Sequence, residues 1–376
     1  MAGRLFFYGT LRHLPLLEIV LGRGVKTLVL RAVRLNGYAA FCVADEAFPM
    51  LVAQDGGSVE GLVVSGLSEV DIARLDFYEG GFDYDLVDVV LEDGEPAQVY
   101  LCDPRQWRAQ GLWDFDAWAE QWAEMSCHAA HEVMSYHGTQ TRMQIAENFG
   151  QIRARAWSKT LGGQRRAGQG SFEGNVEIVE QTRAYTGFFA LDEVRLRFEQ
   201  FDGTMSPELE RCYFIGGDAA LVLPYDRVRD RVMLVEQVRM GPLGRGDPEV
   251  WQLEPIAGHI DPGESAEQAA RREAHEEAGL GLDHLEVVAR GYPSPGDSTG
   301  YFHIFVGLCA LPDDAAGIGG LPSEAENIRS RLMPFDAFLA MAEQQALANT
   351  PTALLAYWLA HHRSRLRSDK GPVKPV

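Results

Sequence analysis

Lysine and arginine are scarce relative to the acids: 34 against 54 Asp plus Glu, a formal charge of −20 over 376 residues. That balance excludes a non-specific nucleic-acid binder and a partner of anionic membranes, since both need a basic face. It leaves room for a small anionic substrate, because a cleft can be locally basic or hold a metal. Cysteine is also sparse. Cys42, Cys102, Cys127, Cys212 and Cys309 are odd in number, far apart and without a CxxC pair. They read as free, mostly buried thiols of a reducing compartment rather than a disulfide framework. No apolar run approaches the ~20 residues that span a bilayer. The opening MAGRLFFYGTLRHLPLL lacks the basic, apolar and small-residue order of a signal peptide. The expectation is a soluble cytoplasmic protein.

What is present supports sizeable cores, with 46% hydrophobic residues, and a length that suits two or three domains of roughly 100–200 residues each. GRLFFYGTLR, VEGLVVSGL and AQVYLC read as strands. Phe115, Trp118, Trp122 and Met125 then fall at helical spacing, an aromatic face more suited to a core than to a cofactor, with helical sequence continuing toward Trp157. TLGGQRRAGQGSFEGN, with five glycines, marks a flexible connection. The expected division is residues 1–160, a linker over 161–175, and a second domain over 176–370. In the latter, DAALVLPYD and DRVMLVEQVR predict a hairpin turning at DRVRD. LEVVARGY and YFHIFVGLCAL predict further strands. TPTALLAYWLAHHRSRL predicts a C-terminal helix with Thr350 as its cap and Pro351 in its first turn. Strands on both sides of helices imply a mixed sheet with packed helices, an α+β chain.

One segment is chemically loaded. In GHIDPGESAEQAARREAHEEAGL, Ser265 and Gln268 form a capping box and Gly279 a stop, which predicts a helix from Ala266 to Ala278. Glu273, Glu276 and Glu277 stand at i, i+3 and i+4 on one face. Clustered carboxylates repel, and the C-terminal half of a helix is the unfavourable end for negative charge. A solvated acidic face is one reading; a hard cation such as Mg²⁺ or Mn²⁺, held by oxygen ligands, is the other.

The spacing of Gly258, Glu264, Arg272, Glu273, Ala274, Glu276, Glu277, Gly279 and Leu280 matches every fixed position of the Nudix box. The chain thus resembles the Nudix hydrolases, which cleave nucleoside diphosphates linked to another moiety. The resemblance implies an α/β/α sandwich and metal ligation by Glu273, Glu276 and Glu277, with the Ala257 carbonyl as a further ligand. Arg272 and Glu264 would pair to hold the loop on the helix. YTGFF, MSPELER, LVEQVR, WQLEPIAGHIDPGE, GYPSPG and SEAENIR, in that order, resemble the ADP-ribose pyrophosphatase branch over roughly 176–366. That likeness implies ADP-ribose, or a related ADP-sugar, as substrate, with AMP and ribose 5-phosphate as products. Arg211 and Arg239 would contact the phosphates, or else be surface ion-pair arginines. Phe188 or Phe189 would stack on adenine or lie in the core, and Pro295 matches a proline of that branch. Glu324 is expected as the base and Glu326 as a late metal contact. A homodimer that exchanges its segment 176–214 is also implied.

Near the N-terminus, FFYGTLR and LDFYEGGFDYDLVDVVL resemble the gamma-glutamylcyclotransferase-like (AIG2-like) family, a small barrel with surrounding helices. That likeness implies a substrate-binding turn at Tyr8, Gly9, Thr10 and Leu11, and an acid–base group at Glu79. Asp85 follows Tyr84 where many relatives place a basic residue, so an active cyclotransferase and a binding or assembly domain both stay open. The fused arrangement resembles Nudix proteins associated with tellurite resistance. For the second domain, a Nudix enzyme of other specificity and a non-enzymatic ADP-ribose sensor are the alternatives; the intact box argues against the sensor.

Overall fold

β1 (Gly3–Phe7) sends Leu5 and Phe7 to one side and Phe6 to the other, and all three are buried. This two-residue alternation gives the first unit two cores. Our computed structural model describes residues 3–44, 46–80, 84–102, 105–164, 172–321 and 326–368. β1 is followed by α1 (Leu14–Leu21), the long strands β2 (Val29–Val43) and β3 (Pro49–Leu67), and α2 (Glu69–Glu79). Then come β4 (Tyr84–Val90), β5 (Pro96–Cys102), β6 (Ala109–Leu112), α3 (Phe115–Ser135), α4 (Arg142–Glu147) and α5 (Phe149–Gly163). The sheet order is β4-β5-β1-β3-β2-β6. β1 is antiparallel to β3 and parallel to β5.

Leu5 and Phe7 join a cluster with Leu16, Leu17, Trp118 and Ile152 from the helices. Phe6 and Tyr8 join a second cluster with Val33, Leu35, Val63 and Val99, built from strands. A strand-built core means that the sheet curls over itself, as a barrel would. The strand order is nevertheless an open path with β4 and β6 at its ends, so no closed barrel forms among the described residues. The aromatic face of α3 is core, as its spacing predicts: Trp118 is 3% exposed and its indole Nε1 donates to the Ala47 carbonyl at 2.8 Å.

The chain divides into two compact units. The first comprises residues 1–175, 183–189 and 199–202; the second comprises 176–182, 190–198 and 203–376. β7 (Val176–Thr186), β8 (Ala190–Phe198) and β9 (Leu209–Ile215) form a three-stranded sheet in that order. Val176, Ile178 and Val179 of β7 are exposed.

The predicted hairpin forms as β10 (Asp218–Asp226) and β11 (Arg231–Val238), with Tyr225 opposite Val232. Its turn is held by the Asp226 carboxylate, which accepts from the Val228 and Arg229 amides at 2.9 Å each. Asp230 adopts φ 59°, a left-handed position that aspartate tolerates. The remaining elements are α6 (Met240–Arg245), β12 (Trp251–Glu254), β13 (Ile256–His259), α7 (Ala266–Ala278), β14 (His284–Gly291), β15 (Tyr301–Leu308), β16 (Ile318–Gly319), β17 (Ile328–Pro334), α8 (Phe335–Glu343) and α9 (Thr350–Ser368). The sheet runs β14-β15-β10-β11-β17-β16, with β12 on β11 and β13 on β10. Leu221, Leu223 and Tyr225 pack with Phe335, Phe338 and Leu359 of α8 and α9. α7 lies against β10 and β13 through the fully buried Ala269, Ala270 and Ala274. This is the expected α/β/α sandwich.

Two expectations need correction. Thr350 is not the cap of α9: the Asn349 side-chain oxygen accepts from the Thr352 amide at 3.2 Å. The cysteines are free, but only Cys102 and Cys309 are buried, and Cys212 is exposed because it lies on the solvated sheet of β9. Among the described residues, no helix is long and apolar enough to cross a membrane.

Candidate functional site

The acidic segment takes the predicted form. β13 pairs antiparallel with β10, setting Gly258 opposite Ala220 and Ala257 opposite Leu221. Ser265 caps α7 by the capping box with Gln268, and Gly279 ends it at φ 65°. Arg272 is the staple. Its Nη2 donates to Glu264 at 3.0 Å and to the His259 carbonyl at 2.9 Å, while Nε donates to the other Glu264 oxygen at 3.1 Å. A fork held on three acceptors fixes the loop to the helix better than a point charge could.

Two of the helix carboxylates share one cation. Arg272 Nη1 reaches Glu273 at 2.6 Å and Glu276 at 3.0 Å. The Glu273 carboxylate lies against Gly258 so closely that a Cβ there would sit 1.8 Å from its Oε1, which accounts for the glycine. Glu277 is 2% exposed, and its Oε2 is buried without a hydrogen-bond partner among the described residues. Burial, then the charges of Glu273 and Glu326, push the Glu277 carboxyl up to about 9. Burial raises Glu273 to about 7, against the lowering pull of Arg272. A buried carboxylate oxygen without a donor, facing other carboxylates, is costly unless a cation sits among them. Among the described residues, no three of His, Cys, Asp or Glu already stand in a closed metal-binding arrangement. Here Arg272 occupies part of Glu273 and Glu276. The all-oxygen donor set and the orphan Glu277 oxygen nonetheless fit a hard divalent ion.

Glu326 faces this cluster, as its charge acts on both Glu273 and Glu277. Its Oε2 accepts from the Leu321 amide at 3.1 Å. The neighbouring Gly319 is also enforced, since a Cβ there would lie 2.1 Å from the Glu277 carbonyl oxygen. Glu324 lies outside the described residues.

Arg239, just past β11, donates from Nε to Glu254 at 2.6 Å. The other Glu254 oxygen accepts from Asn349 at 3.1 Å. Glu254 is 5% exposed, burial raises its pKa, and its charge acts on Glu277. Sequence reasoning missed Glu254 and Asn349; the only signal was an acid inside the apolar WQLEPIAG strand pair. Arg211 is exposed on β9 and donates to the Glu210 carbonyl at 2.7 Å. Pro295 is exposed in a loop tied to β9 by the Phe214 amide to Asp297 and the Thr299 amide to Phe214. Phe188 and Phe189 are exposed in the turn after β7, edge to face at 4.9 Å, so neither is a core aromatic.

In the first unit, Tyr8, Gly9, Thr10, Leu11 and Glu79 line one cavity. The residues 81–83 that follow in the same motif lie outside the described set. Desolvation pushes the Glu79 carboxyl from 4.5 up to about 7. The native state therefore keeps a proton that the unfolded chain releases between those values. The associated stability is present below pH 4.5 and is lost as pH rises to 7. Urea denaturation of wild type should show a loss of roughly 1–3 kcal/mol over that window. Glu79→Gln should flatten that part of the profile; an unchanged slope would place the carboxyl in solvent.

Comparison with known proteins gives two family matches. Residues 217–353 match the NUDIX domain family model, and residues 5–120 match the gamma-glutamyl cyclotransferase, AIG2-like model. The chain is 38% identical over 195 residues to the ADP-ribose pyrophosphatase of Escherichia coli K12, covering 52% of this chain and 92% of that protein. It is 37% identical over 199 residues to the ADP-ribose pyrophosphatase of Haemophilus influenzae, covering 52% and 90%. It is 32% identical over 184 residues to the GDP-mannose pyrophosphatase of Cronobacter sakazakii, covering 48% and 93%.

Proposed function

This chain belongs to the Nudix hydrolase family, and from that premise we propose that its second unit hydrolyses ADP-ribose to AMP and ribose 5-phosphate. The observation that carries the reading is the i, i+3, i+4 placement of Glu273, Glu276 and Glu277 on α7, with Gly258 clearing space for Glu273. These three carboxylates and the Ala257 carbonyl would hold the cation. When bound, Mg²⁺ or Mn²⁺ neutralises diphosphate charge and lowers the pKa of the attacking water.

The chain's own groups do the rest. Arg272 holds the Glu264 loop on the helix, which keeps the carboxylates aimed. Arg239, steadied by Glu254, donates to a phosphate oxygen. Glu324 accepts the proton of the attacking water, and Glu326 would be a further contact to the bound cation. Arg211 and Pro295 complete the substrate contacts. The exposed apolar residues of β7 suit a homodimer in which this sheet is covered by a second copy. The acidic balance and thiol content suit the cytoplasm. The first unit binds a small γ-glutamyl compound at Tyr8, Gly9, Thr10 and Leu11, with Glu79 as proton-transfer group.

The test is to incubate the full chain and Mg²⁺ separately with ADP-ribose and GDP-mannose, and to measure AMP or GMP release alongside molar mass. AMP release with a higher kcat/KM for ADP-ribose, by a dimer, is the expected result. A preference for GDP-mannose would move the specificity to the other group of relatives. Tight binding of ADP-ribose without cleavage would make the second unit a sensor.

A further inference from the structure

The cavity of the first unit is not built by the segment 5–120 alone. α3 contributes Met125, Ser126 and Ala129, and α5 contributes Phe149 and Arg153, all from beyond that segment. Arg153 is the cationic residue among those lining the cavity, and its Nη1 donates to Glu46 Oε2 at 2.6 Å. Glu46 lines the cavity too, and the two side chains are 15% and 22% exposed. Much of the surrounding wall is apolar or aromatic, with Phe7, Phe48, Pro49, Tyr78 and Phe149.

An ion pair withdrawn this far from water loses hydration that its mutual attraction barely repays, so it adds little to stability. Its chemical value is different. A guanidinium carries five N–H donors in a planar fork, more than one carboxylate can take, and it matches a second carboxylate well. Glu79 sits in the same cavity on α2, where it can accept a proton from an amine. The cavity thus combines a proton acceptor from one helix and a cationic fork from another within a partly apolar wall. A ligand suited to it has an amine at one end and a free carboxylate at the other.

We infer that Arg153, with Glu46 as its counter-ion, forms a carboxylate subsite that selects γ-glutamyl compounds whose second half ends in a free carboxylate over those ending in a neutral group. This rests on reading the first unit as a γ-glutamyl site. Arg153 acts on selection among ligands and has no part in proton transfer. Its placement on α5 makes the helical extension part of the binding site, which the matched segment alone does not supply.

The experiment compares two probes on the full chain by titration calorimetry at pH 7.5: γ-L-glutamyl-L-alanine and γ-L-glutamyl-L-alaninamide, which differ only in the terminal charge. If the chain consumes them, the ratio of kcat/KM values replaces the ratio of Kd values. Wild type should prefer the free carboxylate by at least about tenfold, the scale of a charge-assisted hydrogen bond. Arg153→Gln should bring that ratio close to one while keeping its affinity for the alaninamide, which also shows an intact cavity. Glu46→Gln removes the competing carboxylate and should raise the ratio several-fold. Equal affinity of wild type for both probes, or an undiminished preference in Arg153→Gln, overturns the subsite alone. If Arg153→Gln does not fold, an unchanged ratio in Glu46→Gln overturns it. Failure of both probes to bind overturns the γ-glutamyl reading and the subsite with it.

Discussion

Glu277→Gln is expected to lower kcat for ADP-ribose hydrolysis by about 10²-fold or more at saturating Mg²⁺, with the fold retained. The variant keeps the shape of the side chain and removes one charge from a cluster in which Glu277 is the most deeply buried carboxyl. Its stability should move the other way. The native carboxyl is raised from 4.5 to about 9, so wild type loses stability as pH rises across that window. Glutamine has no such loss. With chelator present at pH 7.5, the variant should unfold at a higher temperature than wild type, and the difference should shrink toward pH 4.5. Turnover near that of wild type would remove Glu277 from the metal site. Low turnover with a lower melting temperature would instead mean that the substitution damages packing.

Arg239→Ala is expected to cost about 2–4 kcal/mol in kcat/KM, which is roughly 30- to 10³-fold. Two effects contribute. A phosphate loses a charge-assisted donor, and Glu254, 5% exposed, loses the cation that balances it. The second effect should also lower the melting temperature, because a buried acid left unpaired is penalised. Arg239→Lys separates them. A lysine keeps a positive charge near Glu254 and restores stability, yet it lacks the planar fork and should recover little of the catalytic loss. Unchanged kcat/KM in Arg239→Ala would make the residue a surface ion-pair arginine.

The acidic helix was legible because its determinants are local. Ser265, Gln268 and Gly279 fix its ends within the span of the helix itself, and the i, i+3, i+4 spacing of the carboxylates fixes their common face. The β10–β11 hairpin was legible for the same reason, its turn being held by Asp226 on amides two and three residues away. The open strand order of the first unit was not, because it depends on pairing between β1 and β5, distant in sequence. Nor was the C-terminal cap: Asn349 and Thr350 are both acceptable caps in isolation, and the choice falls to Asn349, whose amide also serves Glu254. Arg153 and Glu46 escaped notice because no spacing rule links residues so far apart in sequence; only the folded cavity brings them together.

The Asn349 contact has a bearing on biosynthesis. The helix that bears the three carboxylates leaves the ribosome well before Asn349, which holds Glu254 and through it Arg239. A nascent chain halted between the two carries Glu273, Glu276 and Glu277 but lacks the amide that holds Glu254 beside Arg239. The pairing of Arg239 with a fully held Glu254 is therefore complete only when the last helix has emerged.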